Sequence, residues 1–186
     1  MGVLAIRQYE KYLGMPALVG RAKKQIFIYI KERVWKKLQV WKEKLLSQAG
    51  REVLIKVVIK AIPTYTMSCF KLLKGLIKEL EVMIRKFWWE YCGGNRKTHW
   101  VKWDRLCEAK EFGAMGFKEI EKFNDALLAK QVWRLINNPT SLCHRVFKAR
   151  FFLDCSILEA RESTVGSYAW KSLLSARDVI RQGMIW

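Results

Sequence analysis

The hydrophobic residues recur every three or four positions over most of the chain, which is the spacing of one face of an α-helix. The first run consists of Ile26, Ile30, Val34, Leu38, Trp41 and Leu45. Lysines occupy many positions between them, so the pattern predicts an amphipathic helix with a cationic outer surface. Ser47 can cap a second helix, which Pro63 is expected to end or kink near Ala61. Together the two helices predict a helical hairpin.

Further helices are predicted in the rest of the chain. One contains Leu76, Ile77, Leu80, Ile84, Phe87 and Trp88. Another contains Ile120, Phe123, Leu127, Val132 and Leu135 and stops at Asn137-Asn138-Pro139. Two shorter helices are expected around 142–151 and 168–180, whereas residues 100–107 are too few for periodicity to distinguish strand from helix. Strands and helices do not alternate, so the sequence predicts an all-α fold.

The same patterns divide the chain into four parts. Gly14 and Pro16 break any helix near the start. A break at Cys92-Gly-Gly-Asn and a second one at Gly113 to Gly116 mark the middle. The parts are a leading segment (1–21), a helical bundle (22–91), an irregular basic and aromatic joint (92–118) and a helical connection region (119–186).

The charge of the chain indicates a negatively charged partner. Its 35 Lys and Arg exceed its 17 Asp and Glu, for a net charge of +18. Such a surplus favours polyanions such as nucleic acid, or an acidic membrane surface. Residues 1–60 have 14 basic and 4 acidic side chains, whereas residues 151–186 have 4 of each. We therefore expect the binding face mainly in the first third of the chain.

The cysteines and carboxylates do not form a catalytic pattern. The 5 Cys include no C-x-x-C pair, which argues against a disulfide framework or zinc site and for a reducing compartment inside the cell. Phosphate-binding loops, dinucleotide turns and nucleophile elbows are absent from the sequence. No two Asp residues are adjacent, so the carboxylate pair of a metal-dependent nucleotidyl transferase is not indicated. The sequence predicts a chain that is not an enzyme and that uses no cofactor or metal.

The candidate binding residues are basic. The expected phosphate contacts on and after the first helix are Lys36, Lys37, Lys42, Lys44 and Arg51. Arg96 and Lys97 form a second group in a loop that can reach a phosphate. The aromatic residues expected in the core are Trp35, Trp41, Phe87, Trp88 and Trp133. A solvated charged face over an ordinary core is the alternative interpretation of the first group.

Several blocks of sequence resemble a known family. They are Tyr9-Glu-Lys-Tyr-Leu-Gly-Met-Pro16, Trp41-Lys-Glu-Lys-Leu-Leu-Ser-Gln-Ala-Gly-Arg51, Ala61-Ile-Pro-Thr-Tyr-Thr-Met-Ser-Cys-Phe70, Phe87-Trp-Trp89, Gly116-Phe117 and Phe123-Asn-Asp-Ala-Leu-Leu-Ala-Lys-Gln131. In this order, and over nearly the whole chain, the blocks resemble plant LINE-type (non-LTR) retrotransposon reverse transcriptases. Two positions depart from the family, which usually has Pro where Leu73 stands and Gly where Ala114 stands.

The resemblance implies a place in a larger polymerase. It maps this chain to the stretch between the palm and the zinc-binding and ribonuclease H-like regions, so that 22–91 is a thumb-like bundle. In that family a helical thumb holds the template–primer duplex. The implied partners are RNA or an RNA–DNA duplex, and the palm domain of the parent polymerase. The resemblance also implies that the location, nuclear or cytoplasmic, includes the nucleus. The aromatic-x-Asp-Asp motif of the palm and the Cys/His zinc ligands lie outside this segment, which agrees with a non-catalytic fragment.

Other interpretations stay open. The same helices could form a protein-interaction scaffold that docks on the missing palm or on another protein. The chain could also be a decayed retroelement fragment with no selected function. Attachment to an anionic membrane is less favoured, because the apolar faces of the helices are needed for packing against each other, and no membrane partner is expected.

Overall fold

A computed structural model describes residues 11–12, 15–16, 23–42, 44, 46–89, 101–161 and 166–183. Its regular structure is helical apart from one short antiparallel strand pair, in which Lys11 lies opposite Pro16, so the all-α prediction is confirmed. The strands are β1 (Lys11–Tyr12) and β2 (Met15–Pro16). The helices are α1 (Lys23–Lys42), α2 (Gln48–Leu54), α3 (Lys60–Cys69), α4 (Lys74–Trp89), α5 (Trp103–Cys107), α6 (Ile120–Asn137), α7 (Leu142–Phe151), α8 (Tyr168–Ser175) and α9 (Arg177–Gly183).

Helix α2 continues into α3 through a π-helical segment, Ile55–Ile59. Of the two outcomes expected at Pro63, an end or a kink, the end is wrong, because the helix continues to Cys69. A proline inside a regular α-helix lacks the N–H that would bond to the carbonyl four residues earlier, and its ring crowds that carbonyl. Here that carbonyl belongs to Ile59, where the wider π turn ends. The π turn thus adjusts the backbone at the position where the proline requires it.

Serine caps fix the start of three helices. The Ser47 Oγ accepts from the Gly50 N–H at 3.2 Å, as the sequence predicts. The Ser141 and Ser167 hydroxyls accept in the same way at the starts of α7 and α8, from backbone N–H groups three residues later. Each cap satisfies a backbone donor that has no partner within the helix.

The first core cluster joins α1, the α2–α3 helix, α4 and α5. Helix α1 packs chiefly on α4 and also on α3, so the predicted hairpin is completed by a third helix. Phe117 lies at the centre of the aromatic packing, edge-on to Trp88 at 5.2 Å and stacked on Trp103 at 5.4 Å between ring centroids. Residues 103–107, which periodicity leaves undecided, are helical, and they bury Trp103 and Leu106 in this cluster.

The second core cluster lies between the later helices. Trp170 of α8 is fully buried there. Its ring stacks on Phe151 at 4.8 Å and on Phe152 at 5.7 Å. The cluster also contains Leu128 and Val132 of α6. Because α6 begins at Ile120 in the first cluster and continues into the second, this one helix joins the two cores.

The connection between α3 and α4 is held by polar contacts from α6 and α8. Asn124, fully buried, accepts from the Leu72 N–H at 2.8 Å and donates to the carbonyl oxygens of Met67 at 2.8 Å and Phe70 at 3.0 Å. The backbone N–H of the neighbouring residue, Lys71, donates to the Ser172 Oγ at 2.9 Å. We call these contacts the α3–α4 clamp; Lys71 also pairs with Asp125, and its carbonyl accepts from the Tyr168 hydroxyl.

Candidate nucleic-acid interface

The buried side of α1 determines which of its residues face solvent. Val34 and Leu38 are 0% and 2% exposed and pack in the first core cluster. Since successive helical residues are about 100° apart, the residues next to these positions project to the flanks and the outer side. Arg33, Lys36 and Lys37 are exposed there.

These three side chains form a group that we call the basic face of α1. Lys36 and Lys37 follow Arg33 by three and four residues, the spacings at which side chains of a helix are neighbours. Arg33 lies over the Tyr29 ring, with its guanidinium carbon 5.6 Å from the ring centroid. Among the residues that the structure describes, no carboxylate lies within ion-pair distance of Lys36 or Lys37. Their charges are therefore available to an external anion.

Many other basic side chains are already paired with carboxylates. Lys31 Nζ lies 2.7 Å from Glu79, and Lys122 Nζ lies 2.7 Å from Glu119. Lys56 and Lys110 both contact Glu52, at 2.6 Å and 2.9 Å. Hydrogen bonds from these two lysines hold the pKa of Glu52 below its ordinary value. Lys36 and Lys37 of the basic face differ from these lysines, whose charges are neutralised by carboxylates of the same chain.

The other predicted contacts fall into three groups. Lys44, just beyond α1, is exposed, and Lys42 at the end of α1 is half-buried. Arg51 is only 6% exposed, so its position inside the bundle does not suit it to contact an external phosphate. Arg96 and Lys97 lie outside the described residues.

The aromatic predictions are partly correct. Phe87 and Trp88 are buried in the first core cluster, and Trp41 packs against it half-buried, with its ring 6.1 Å from that of Phe87. The core assignments of Trp35 and Trp133 are wrong, since these side chains are 52% and 45% exposed. Each follows a fully buried valine, Val34 or Val132, and so projects about 100° away from the buried stripe.

Lys60, a basic residue outside the predicted set, has a lowered pKa. Burial lowers the pKa of Lys60 to about 8, and the nearby positive charge of Lys118 adds to this effect. Its Nζ lies 5.9 Å from the centroid of the Phe117 ring. Sequence periodicity offers no signal for such a site, because the burial of Lys60 depends on α5 and the following loop.

Two other kinds of feature are absent from the described ranges. No group of three or more His, Cys, Asp or Glu side chains there could hold a metal ion. None of the helices described is both long and apolar enough to cross a membrane.

Comparison with known proteins defines the family. The chain is 42% identical over 126 residues to "Uncharacterized mitochondrial protein AtMg00310" of Arabidopsis thaliana, a match that covers 67% of this chain and 82% of the relative. The chain belongs to the family of AtMg00310. It is also 34% identical over 179 residues to "Putative ribonuclease H protein At1g65750" of Arabidopsis thaliana. That second match covers 92% of this chain but 28% of the relative, so the chain spans little more than a quarter of that protein.

Neither a family model nor a solved structure adds to these two relatives. No family model matches the chain, and no solved structure matches it. The two relatives therefore establish only which family the chain belongs to. What the chain can bind is argued from the geometry of α1 and its surroundings.

Proposed function

We propose that the chain is a non-catalytic, helical piece of a retroelement-derived, reverse-transcriptase-like protein, and that the basic face of α1 holds the backbone of an RNA–DNA or RNA duplex. The observation that supports this most directly is the exposure of Lys36 and Lys37 without a carboxylate partner among the described residues. Lys44, just beyond the end of α1, is also exposed. The proposal assigns no catalytic step to this chain.

The comparisons support the retroelement part of the proposal. The longer relative is named as a ribonuclease H protein, and this chain aligns with a 28% portion of it. In LINE-type reverse transcriptases, which the sequence blocks resemble, a ribonuclease H-like region follows the segment proposed to correspond to this chain. A thumb and connection piece fits both relationships, and α1 to α4 would form the thumb.

Backbone binding predicts weak sequence preference and a strong dependence on salt. Phosphate contacts carry no sequence information, and A-form duplexes are recognised mainly through shape, phosphates and 2′-hydroxyls. If about four phosphates are neutralised, the logarithm of the affinity should fall with the logarithm of salt concentration at a slope of roughly −3 to −4.

The test is fluorescence anisotropy with a labelled RNA–DNA hybrid at several salt concentrations. The double variant Lys36→Ala/Lys37→Ala should reduce the steepness of the salt dependence by about two. The matched control, Arg145→Ala/Lys148→Ala on α7, removes the same charge from exposed positions and should leave the slope within about half a unit of the parent protein. An equal reduction in both variants would show that net charge, not the basic face, determines binding.

The alternative of a protein-interaction scaffold is favoured by one observation. Ile28 and Trp35, seven residues apart on α1, are 53% and 52% exposed. This spacing puts them on one side of the helix as an apolar pair beside the basic face. If these two side chains dock on a protein, self-association or partner binding should be insensitive to salt, and Ile28→Ser/Trp35→Ser should abolish it. Binding of the RNA–DNA hybrid should be unchanged in this variant.

A further inference from the structure

A second candidate site lies between α3, α6, α7 and α8. The structure contains there a cavity of about 730 Å³, partly open to solvent. This volume is within the range of small-molecule and cofactor sites. Neither the basic face of α1 nor the α3–α4 clamp belongs to it.

The lining of the cavity combines aromatic, hydrogen-bonding and cationic groups. Tyr65 and Phe147 supply aromatic rings, Gln131 and Asn138 supply amides, and Arg134 supplies a guanidinium. No acidic side chain is among its described lining residues. Arg134 is exposed and donates to the Gln131 Oε1 at 3.3 Å, and both residues line the cavity.

The charge around the cavity is strongly one-sided. From residue 126 to residue 153 the sequence contains no Asp or Glu, but it contains Lys130, Arg134, Arg145, Lys148 and Arg150. Lys130 precedes Arg134 by one helical turn, and Arg150 follows Phe147 by three residues, so both flank the lining. An anionic ligand in the cavity would meet Arg134 at its wall, and the segment contains no carboxylate to compensate that charge.

We infer that this cavity binds a nucleotide unit of a single-stranded nucleic acid. Aromatic rings stack with bases, amide side chains pair with base edges, and a guanidinium pairs with a phosphate. A duplex does not fit the same chemistry, because its bases are stacked on each other and unavailable to rings inside a cavity. The inference goes beyond the proposed function, which concerns duplex backbone on α1, and shares with it only the class of ligand.

Two exposed cysteines allow a direct test. Cys143 lines the cavity, whereas Cys155 is exposed and does not line it. Alkylation of each thiol in the full chain is followed by mass spectrometry of the proteolytic peptides, with and without a short single-stranded RNA. The strand should slow alkylation of Cys143 by about tenfold at ten times its dissociation constant and leave Cys155 unchanged.

Further arms of the experiment distinguish the source of the nucleotide. Adenosine monophosphate at the same nucleotide concentration, an RNA–DNA hybrid and poly-glutamate should each protect Cys143 much less than the strand does. Equal protection by the mononucleotide, by the hybrid or by poly-glutamate would overturn the assignment to a single strand. Failure of the strand to protect Cys143 would also overturn it.

A matched pair of variants assigns the effect to the cavity. Arg134→Gln, at an exposed position, should weaken binding of the strand by about tenfold. Arg145→Gln removes the same charge from an exposed position of α7 outside the cavity and should weaken it by less than about twofold. Equal losses would contradict the assignment. Protection of Cys143 should persist in Lys36→Ala/Lys37→Ala, so failure of the α1 proposal and failure of this one are distinguishable.

Discussion

The α3–α4 clamp predicts a large loss of stability from one polar substitution. Asn124→Ala removes three hydrogen bonds at a fully buried position and leaves the Leu72 N–H and the carbonyls of Met67 and Phe70 without this partner. A buried backbone group without a partner costs about 1–3 kcal/mol, with carbonyls at the lower end. We expect a loss of about 3–5 kcal/mol, which is a large share of the 5–15 kcal/mol typical of a domain.

The assay is urea unfolding followed by circular dichroism and tryptophan fluorescence. The matched control is Asn137→Ala, because the Asn137 side chain also donates to a backbone carbonyl, that of Trp133 at 2.9 Å, but is exposed. It should cost less than about 0.5 kcal/mol. A loss below about 1 kcal/mol for Asn124→Ala would refute the reasoning, since it would mean that the three backbone groups find other partners at little cost.

A second variant at position 124 tests whether the carbonyl oxygens of Met67 and Phe70 require a hydrogen-bond donor there. Asn124→Asp retains an acceptor for the Leu72 N–H but directs a carboxylate oxygen at two carbonyl oxygens. The native state would then favour the protonated acid, so the pKa of the new side chain would be raised, and stability would fall as the pH rises through the range between the unfolded and folded pKa values. Destabilisation that does not depend on pH would contradict this explanation.

Three further predictions concern packing, backbone and titration. Trp170→Ala should cost about 3–5 kcal/mol by urea unfolding, because it leaves a cavity beside the stacked Phe151, and a cost below about 1 kcal/mol would argue against that packing. Gly75→Ala, with open space around it in α4, should stabilise by about 0.5–1 kcal/mol, whereas Gly113→Ala, at φ 73°, should destabilise by about 1 kcal/mol; effects of the same sign would contradict the backbone argument. The lowered pKa of Lys60, about 8 against 10.5, means that the unfolded chain binds more protons between these values, so stability should rise with pH across that window. Lys60→Met should remove this rise. It should also stabilise the protein at pH 7, by only about 1 kcal/mol because the half-buried amine is partly solvated. An unchanged dependence of stability on pH in this variant would contradict the assignment to Lys60.

The helices themselves are largely predictable because their buried residues are regularly spaced. The predicted stripe from Leu76 to Trp88 is buried in α4, and α6 ends at Asn137 as the asparagines and the proline indicate. Helix α7 matches its predicted bounds because its start has a serine cap. Signals of this kind depend only on residues that are close in sequence, so they can be recognised without knowledge of the tertiary structure.

The wrong burial assignments concern residues that lie beside the buried side of a helix and not at its centre. Trp35 and Trp133 are large and apolar, so composition favours burial, but each is one position away from the centre of its helix's buried side. Arg51 has the opposite problem, since its charge favours exposure and its position in α2 buries it. Residue type alone cannot resolve a difference of about 100° around a helix.

The candidate sites are predictable only where one helix contains the whole group. The basic face of α1 is visible as lysines between hydrophobic residues. The cavity beside Arg134 is not visible, because four helices contribute its walls, and neither is the clamp, because Asn124 bonds residues that are more than 50 positions earlier. An asparagine at an otherwise apolar helical position is the one local sign of such a contact.

The clamp also has a consequence for synthesis on the ribosome. The Lys71 N–H and the Ser172 hydroxyl are 101 positions apart, and translation at about 5–20 residues per second separates their emergence by roughly 5 to 20 s. Until then a nascent chain has no native partner for that amide, however complete α1 to α4 are. The α3–α4 connection therefore lacks this contact until residue 172 has left the ribosome, and premature termination before Ser172 would release a product that exposes this loop to chaperones and proteases.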